Sequence, residues 1–138
     1  LKYTEWYGFN GHAMWCAIFI SYVANEAGFI DKGVLPKFSS VSMGLNWFME
    51  NGLFRYSFND YIPNPGDIIF FDYPIDDNYL VDHMADHVGI VEKVEDGTIY
   101  CIEGNYNDEC AYTSYSLNDS YIIGYGLPNY YALTNKDA

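Results

Sequence analysis

The stretch that most constrains the fold is "HVGIVEKVEDGTIYCIEG", residues 87–104. Two runs rich in strand-forming residues flank the turn Glu95-Asp96-Gly97, and an Asp-Gly pair favours a tight turn between antiparallel strands. We therefore expect a hairpin with strands over residues 87–94 and 98–103. The runs "IIFF" (68–71), "CAYTSYSL" (110–117) and "YIIGYGL" (121–127) predict three more strands.

Helical patterns precede these strands. The chain after residue 12 has the spacing of an amphipathic helix that ends at Gly28, a suitable C-terminal glycine. A second, shorter helix is expected over residues 41–51, before Gly52. One face of the first helix carries an apolar set at helical spacing, and its alanines are small enough to pack closely on a sheet: Ala13, Ala17, Ile20, Ala24 and Ala27. Helices followed by an antiparallel meander indicate an α+β fold.

The length and composition fit a single domain over residues 1–138. Half of the 138 residues are apolar, and no repeat or linker divides them. No run of about 18 apolar residues is present, so no membrane span is expected. The chain begins Leu-Lys-Tyr without a methionine or a signal-peptide pattern, which predicts that it is a fragment of a larger protein.

The charge of the chain restricts its partners. Six basic and nineteen acidic residues give a net charge of −13. Nucleic acid is not expected as a partner, because neutralising phosphates requires clustered Lys and Arg. The same charge opposes attraction to anionic membranes or anionic wall polymers. If the substrate lies on such a surface, other domains of the parent protein must carry this domain there.

The three cysteines include one candidate nucleophile. An odd number leaves at least one thiol free, and Cys101 and Cys110 flank a turn that would allow them to pair. Cys16 lies in the first turn of the predicted helix, where unpaired N–H groups and the helix dipole favour a thiolate. The helix by itself fits a buried structural cysteine better.

The hairpin supplies a base for that thiol. His87 begins a strand, and Gly89 on the same face would let a helix terminus approach closely. Glu103 falls at the matching end of the hairpin if one strand contains a bulge, so its carboxylate can orient the His87 ring. Asn105 shares the face of Glu103 by alternation.

In combination, "WCAIFISYVANEAG", "NPGDIIFF", "DHVGIVEKV" and "IEGN" resemble the CHAP family, the cysteine, histidine-dependent amidohydrolases and peptidases. The resemblance covers about residues 5–126. It implies a papain-like fold, with N-terminal helices packed on an antiparallel sheet, and cleavage of amide bonds in bacterial peptidoglycan. Carried over by position, Cys16 is the nucleophile, His87 the base and Glu103 the orienting residue, with Asn105 sharing that role in some members.

No cofactor or metal is expected. Some CHAP members bind calcium through carboxylates just before the nucleophile, and residues 7–15 contain none. The acidic loop over residues 72–86 fits a solvated loop better than a cation site, although several of its side chains could ligate one: Asp76, Asp77, Asp82, His83 and Asp86. The Cys16 backbone N–H is the expected oxyanion donor, and Asn10 could add a second.

Several functions remain open at this point. The resemblance implies either a peptide endopeptidase or an N-acetylmuramoyl-L-alanine amidase, acting outside the cell or in the cell wall as a phage endolysin, a tail enzyme or a bacterial autolysin. A papain-like enzyme acting on a non-wall amide is an alternative, because loop shape rather than the catalytic residues sets the substrate. A non-catalytic wall-binding module is another. The joint presence of Cys16, His87, Glu103 and Asn105 argues against that last alternative.

Overall fold

A computed structural model describes residues 15–73, 85–104 and 110–130 of the chain. It contains two α-helices, α1 (Trp15–Glu26) and α2 (Val41–Glu50), and a short 3-10 turn (Ser57–Asn59). The strands are β1 (Phe54–Tyr56), β2 (Ile68–Phe71), β3 (His87–Glu95), β4 (Thr98–Gly104), β5 (Cys110–Ser116) and β6 (Ile122–Gly126). The α+β class is confirmed, and the papain-like arrangement stays a prediction.

The strands form one antiparallel sheet with the order β1-β6-β2-β3-β4-β5. Strands β2 to β5 are the expected meander. The meander does not continue into β6, which returns to pair with β2 on the opposite side from β3. Strand β1, which the sequence pattern did not predict, pairs with β6 and forms one edge of the sheet. Three residues are too short a run for alternation to indicate a strand.

The β3–β4 hairpin turns more tightly than expected. Glu95 still pairs with Thr98, so the turn consists of Asp96 and Gly97 alone. Both residues have positive φ, 52° and 77°, as a two-residue hairpin turn of the primed type requires. The register shifts between Val91 and Lys93, so the expected bulge is present. Beyond it Ile90 pairs with Ile102, a register that places Glu103 opposite Gly89 and not opposite His87.

Helix α1 packs on one face of the sheet. Ala17, Ile20 and Ala24 are buried in a cluster with Phe70 and Val88. These small helix residues allow the close approach that the sequence predicted. One member of the predicted apolar face does not contribute to this contact, because Ala27 is exposed beyond the end of α1. Ala13 lies outside the described residues.

The other face of the sheet carries a second apolar cluster that includes Phe71 and Cys101. Cys101 is fully buried opposite Thr113, whereas Cys110 is exposed. All three cysteines are free thiols, so the possible Cys101–Cys110 disulfide is not formed. Within the three described ranges, no helix has the length and apolar character needed to cross a membrane.

Candidate active site

Cys16 is the second residue of α1, and its side chain is 6% exposed. It belongs to the apolar cluster between the helix and the sheet. The backbone N–H groups in this first turn have no carbonyl four residues earlier within the helix to bond to. The sulfur therefore lies at the positive end of the helix dipole.

His87 is the first residue of β3 and is paired with Phe71, the last residue of β2. Its ring lies 5.5 Å from the Phe71 ring and 6.1 Å from the Tyr73 ring. The side chain is 22% exposed, so one part of the imidazole reaches solvent while the aromatic rings screen the rest. His87 also forms a side-chain hydrogen bond with Cys16.

Glu103 contacts His87 from the neighbouring strand. Its Oε1 lies 2.7 Å from His87 Nε2. The predicted matching of the two hairpin ends was wrong in register: Ile90 pairs with Ile102, which places Glu103 opposite Gly89, and its side chain reaches the ring diagonally. Gly89 makes this contact possible, because a Cβ at that position would lie 2.9 Å from Glu103 Cγ. We expected the space beside Gly89 to admit a helix terminus, and that interpretation was wrong: the Glu103 side chain fills it.

The second carboxylate oxygen of Glu103 is held by strand β5. Thr113 Oγ1 donates to Oε2 at 2.8 Å, and the Tyr115 hydroxyl donates to it at 2.5 Å. Tyr115 is also hydrogen-bonded to Tyr73. Sequence reasoning missed these residues. The alternation of Thr113 and Tyr115 in "CAYTSYSL" was a usable signal, but the face it presents becomes known only from the pairing of β5 with β4.

These contacts raise the pKa of His87 strongly. Burial on its own lowers the pKa of His87. Hydrogen bonds to Cys16 and Glu103, together with electrostatic interactions with the same two side chains, outweigh burial and raise the pKa of His87 from 6.5 to about 10. The ring is therefore an imidazolium at neutral pH.

Glu103 shows the complementary effect. Burial on its own raises the pKa of Glu103, but the hydrogen bond and positive charge of His87 and the hydroxyls of Tyr115 and Thr113 lower it overall. Burial, followed by the hydrogen bond to Glu103, raises the pKa of the Tyr115 hydroxyl far above its usual range. Tyr115 therefore remains a donor, and Glu103 remains a carboxylate that accepts from three side chains.

The other candidate residues lie outside the described residues: Asn10, Asn105, His83 and residues 74–84 of the acidic loop. At the end of that loop, both carboxylate oxygens of Asp86 accept from the backbone N–H of Tyr73, at 3.1 and 3.0 Å. In the described part of the chain, no three His, Cys, Asp or Glu side chains are grouped as metal ligands.

A cysteine at a helix start, a histidine and a carboxylate in one hydrogen-bonded series are the groups that amide hydrolysis through a thiol requires. Comparison with protein families matches the CHAP domain over residues 6–105. The chain belongs to the CHAP domain family. CHAP domains are generally amidohydrolases and peptidases associated with peptidoglycan, and they are typical of cell wall hydrolases. Searches of curated proteins and of solved structures found no match for the chain.

Proposed function

We propose that this CHAP domain is a cysteine-dependent hydrolase that cleaves an amide bond in bacterial peptidoglycan through an acyl-enzyme intermediate. The observation that carries the proposal is the hydrogen-bonded series from Cys16 through His87 to Glu103. The three residues come from a helix and two strands, so no single local element accounts for their meeting. Family membership supplies the substrate class.

In the first step the Cys16 sulfur attacks the carbonyl carbon of the scissile amide. An imidazolium beside a thiol favours its thiolate form, and the raised pKa of His87 keeps the ring protonated before substrate reacts. Because His87 Nε2 faces Glu103, Nδ1 is the nitrogen left to exchange a proton at the reaction centre. His87 protonates the leaving amine as the C–N bond breaks, which leaves a thioester on Cys16.

In the second step neutral His87 takes a proton from water, which attacks the thioester carbonyl and releases the acyl group and the thiolate. Negative charge develops on the carbonyl oxygen in both steps. The Cys16 backbone N–H, at the start of α1, is the proposed oxyanion donor. The proposed roles of Asn10 as a second donor and of Asn105 beside Glu103 rest on sequence alone.

Glu103 holds the His87 ring in one orientation and stabilises its positive charge. Thr113 and Tyr115 fix the carboxylate in turn, because each donates to the oxygen that does not contact His87. We assign these two residues a positioning role. No metal or other cofactor enters the proposed reaction.

The remaining features of the proposal concern the whole protein. We infer a papain-like arrangement for the single domain, and action outside the cell or in the wall after secretion or phage delivery. The net charge of −13 opposes approach to anionic wall polymers. Other domains of a larger parent protein are therefore proposed to provide targeting. A papain-like enzyme acting on a non-wall amide and a non-catalytic wall-binding module are the alternatives to be tested.

Digestion of purified sacculi, with the products identified by mass spectrometry, tests the proposal and distinguishes the bond that is cut. An amidase releases peptides that begin at the residue formerly joined to the lactyl group and leaves glycan without peptide. An endopeptidase leaves peptide stubs on the sugar and exposes amino termini within the stem or cross-bridge. Intact sacculi after prolonged digestion, with cleavage of a non-wall peptide, would favour the non-wall alternative.

A matched pair of cysteine variants provides the control. Cys16→Ala should abolish product formation, whereas Cys110→Ser, at an exposed thiol on β5, should leave it unchanged. If the wild-type protein gave no products, and both it and Cys16→Ala bound to sacculi, the domain would be a non-catalytic wall-binding module.

A further inference from the structure

A pocket of about 540 Å³ lies away from the candidate active site, between the end of β1 and the turn that precedes β6. Two aromatic rings on its wall, Tyr56 and Phe58, stack on each other with centroids 4.9 Å apart. Tyr56 is 39% exposed and Phe58 is 76% exposed. An exposed stacked pair is unusual, because burying such rings is normally favourable, and it forms a flat apolar platform.

Polar side chains surround this platform. Ser57, Asn118, Asp119 and Ser120 line the pocket together with Asp60. Hydroxyl, amide and carboxylate groups can accept from or donate to sugar hydroxyls. Among the described residues that line the pocket, none is Lys, Arg or His. The lining therefore disfavours an anionic ligand and suits an uncharged polyol with one apolar face.

The pocket lies at the same end of the sheet as His87. Phe71 pairs with His87 on one side and with Ile122, a pocket residue, on the other. Ser57 donates to the Ile122 carbonyl at 2.8 Å, which joins the pocket to this end of β6. Three strand spacings separate β1 from β3, so the platform is roughly 14 Å from the histidine strand.

From these observations we propose that the pocket bounded by Tyr56 and Phe58 binds the glycan strand of the substrate, with N-acetylated sugar rings stacked on the aromatic pair. This inference rests on the proposed function, because it assigns one site to the sugar while Cys16 acts on an amide of the attached peptide. Stem peptides carry free carboxylates, which the acidic lining disfavours, whereas N-acetylated sugars carry no charge.

Titration of the Cys16→Ala protein with chitotetraose, an uncharged oligomer of N-acetylglucosamine, tests the proposal without any need for turnover. Amide chemical-shift changes in an NMR spectrum should concentrate on residues 56–60 and 117–123. Phe58→Ala should weaken binding by roughly three- to tenfold, the range expected for loss of one stacked aromatic contact. Tyr112→Ala removes an equally exposed aromatic, 79% exposed on β5, and should leave the dissociation constant unchanged.

Equal binding by the Phe58→Ala protein, or shift changes only for an isolated stem peptide, would overturn the glycan assignment. Circular dichroism checks that the variant is folded, and Tyr56→Ala provides a second test from the other ring of the pair. The result is separable from the proposed reaction. If the platform binds chitotetraose but Cys16→Ala still cleaves sacculi, the catalytic proposal fails and the glycan site stands.

Discussion

The Glu103 side chain passes directly over Gly89, where a Cβ would lie 2.9 Å from Glu103 Cγ. Strand β3 thus contributes both His87 and, two residues later, Gly89. The missing side chain at Gly89 leaves the space through which the Glu103 carboxylate reaches His87. The glycine is required here for space, because the Glu103 side chain occupies the volume that a Cβ at position 89 would fill.

Replacing that glycine with alanine should damage the site more than the fold. Gly89→Ala should lower the free energy of unfolding by about 1–3 kcal/mol, the usual cost of overpacking. Displacement of the carboxylate should lower kcat by roughly a hundredfold, as misplacement by about 1 Å can. Urea unfolding and steady-state hydrolysis measure the two effects. A variant with wild-type kcat would show that Glu103 does not orient His87.

Loss of the Tyr115 hydroxyl should also slow hydrolysis, because Glu103 Oε2 would lose one of its two hydrogen-bond donors. Only the Thr113 hydroxyl would still hold that oxygen. Tyr115→Phe should lower the free energy of unfolding by about 1–3 kcal/mol. It should lower kcat roughly tenfold through a looser carboxylate, with KM unchanged. Tyr112→Phe on the same strand is the matched control. A fall in the free energy of unfolding with kcat unchanged would show that Tyr115 stabilises the fold but does not position Glu103 for catalysis.

The protonation of His87 predicts a distinct pH dependence. Its pKa is 6.5 in an unfolded chain and about 10 in the folded protein, so the folded state holds this proton more tightly. The resulting stabilisation is fully present below pH 6.5 and is lost as the pH rises towards 10. The free energy of unfolding, measured against pH for wild type and Glu103→Gln, isolates this contribution from other groups.

The same shift sets the alkaline limit of hydrolysis, because the first step needs the imidazolium. The alkaline limb of kcat/KM should lie near pH 10 in the wild type. In Glu103→Gln it should move to lower pH, because the amide removes the negative charge that holds the proton. Identical alkaline limbs in the two proteins would contradict the proposed coupling.

Hydrolysis should survive extensive chelation. Residues 7–15 contain no carboxylate, and the Asp86 carboxylate at the end of the acidic loop is bonded to the Tyr73 backbone N–H. Rates with sacculi should agree within error before and after dialysis against EDTA. A large loss that calcium restores, and that Asp76→Asn or Asp82→Asn abolishes, would identify the acidic loop as a cation site.

The parts of the structure that depend on neighbouring residues were predictable from the sequence. The Asp-Gly pair predicted the β3–β4 hairpin and placed Glu103 near His87, although the observed register sets Glu103 opposite Gly89 and only its side chain reaches the ring. The helix start at Cys16 follows from local spacing in the same way. Cys16 and His87 lie about 70 residues apart in the chain, and their pairing was proposed from the residue types and from resemblance to a family, because no local pattern joins them.

The parts that depend on distant pairing were not predictable. Strand β6 pairs with β2 rather than β5, and the local sequence "YIIGYGL" does not indicate which strand it pairs with. The hydrogen bonds from Thr113 and Tyr115 to Glu103 depend on which face of the sheet these side chains occupy. A shift of the β4–β5 register by one residue would move both side chains to the opposite face. The aromatic platform likewise depends on β1, a strand too short to detect by alternation.

In the proposed reaction Cys16 carries the acyl group between the two steps. Acid-quenched samples of wild-type protein with a stem-peptide or muropeptide substrate, analysed by intact-protein mass spectrometry and peptide mapping, test this directly. We predict an added mass equal to the acyl portion of the substrate, mapped to Cys16, absent in Cys16→Ala and present in Cys110→Ser. Continued turnover by Cys16→Ala, or an adduct mapped to another residue, would show that Cys16 is not the nucleophile.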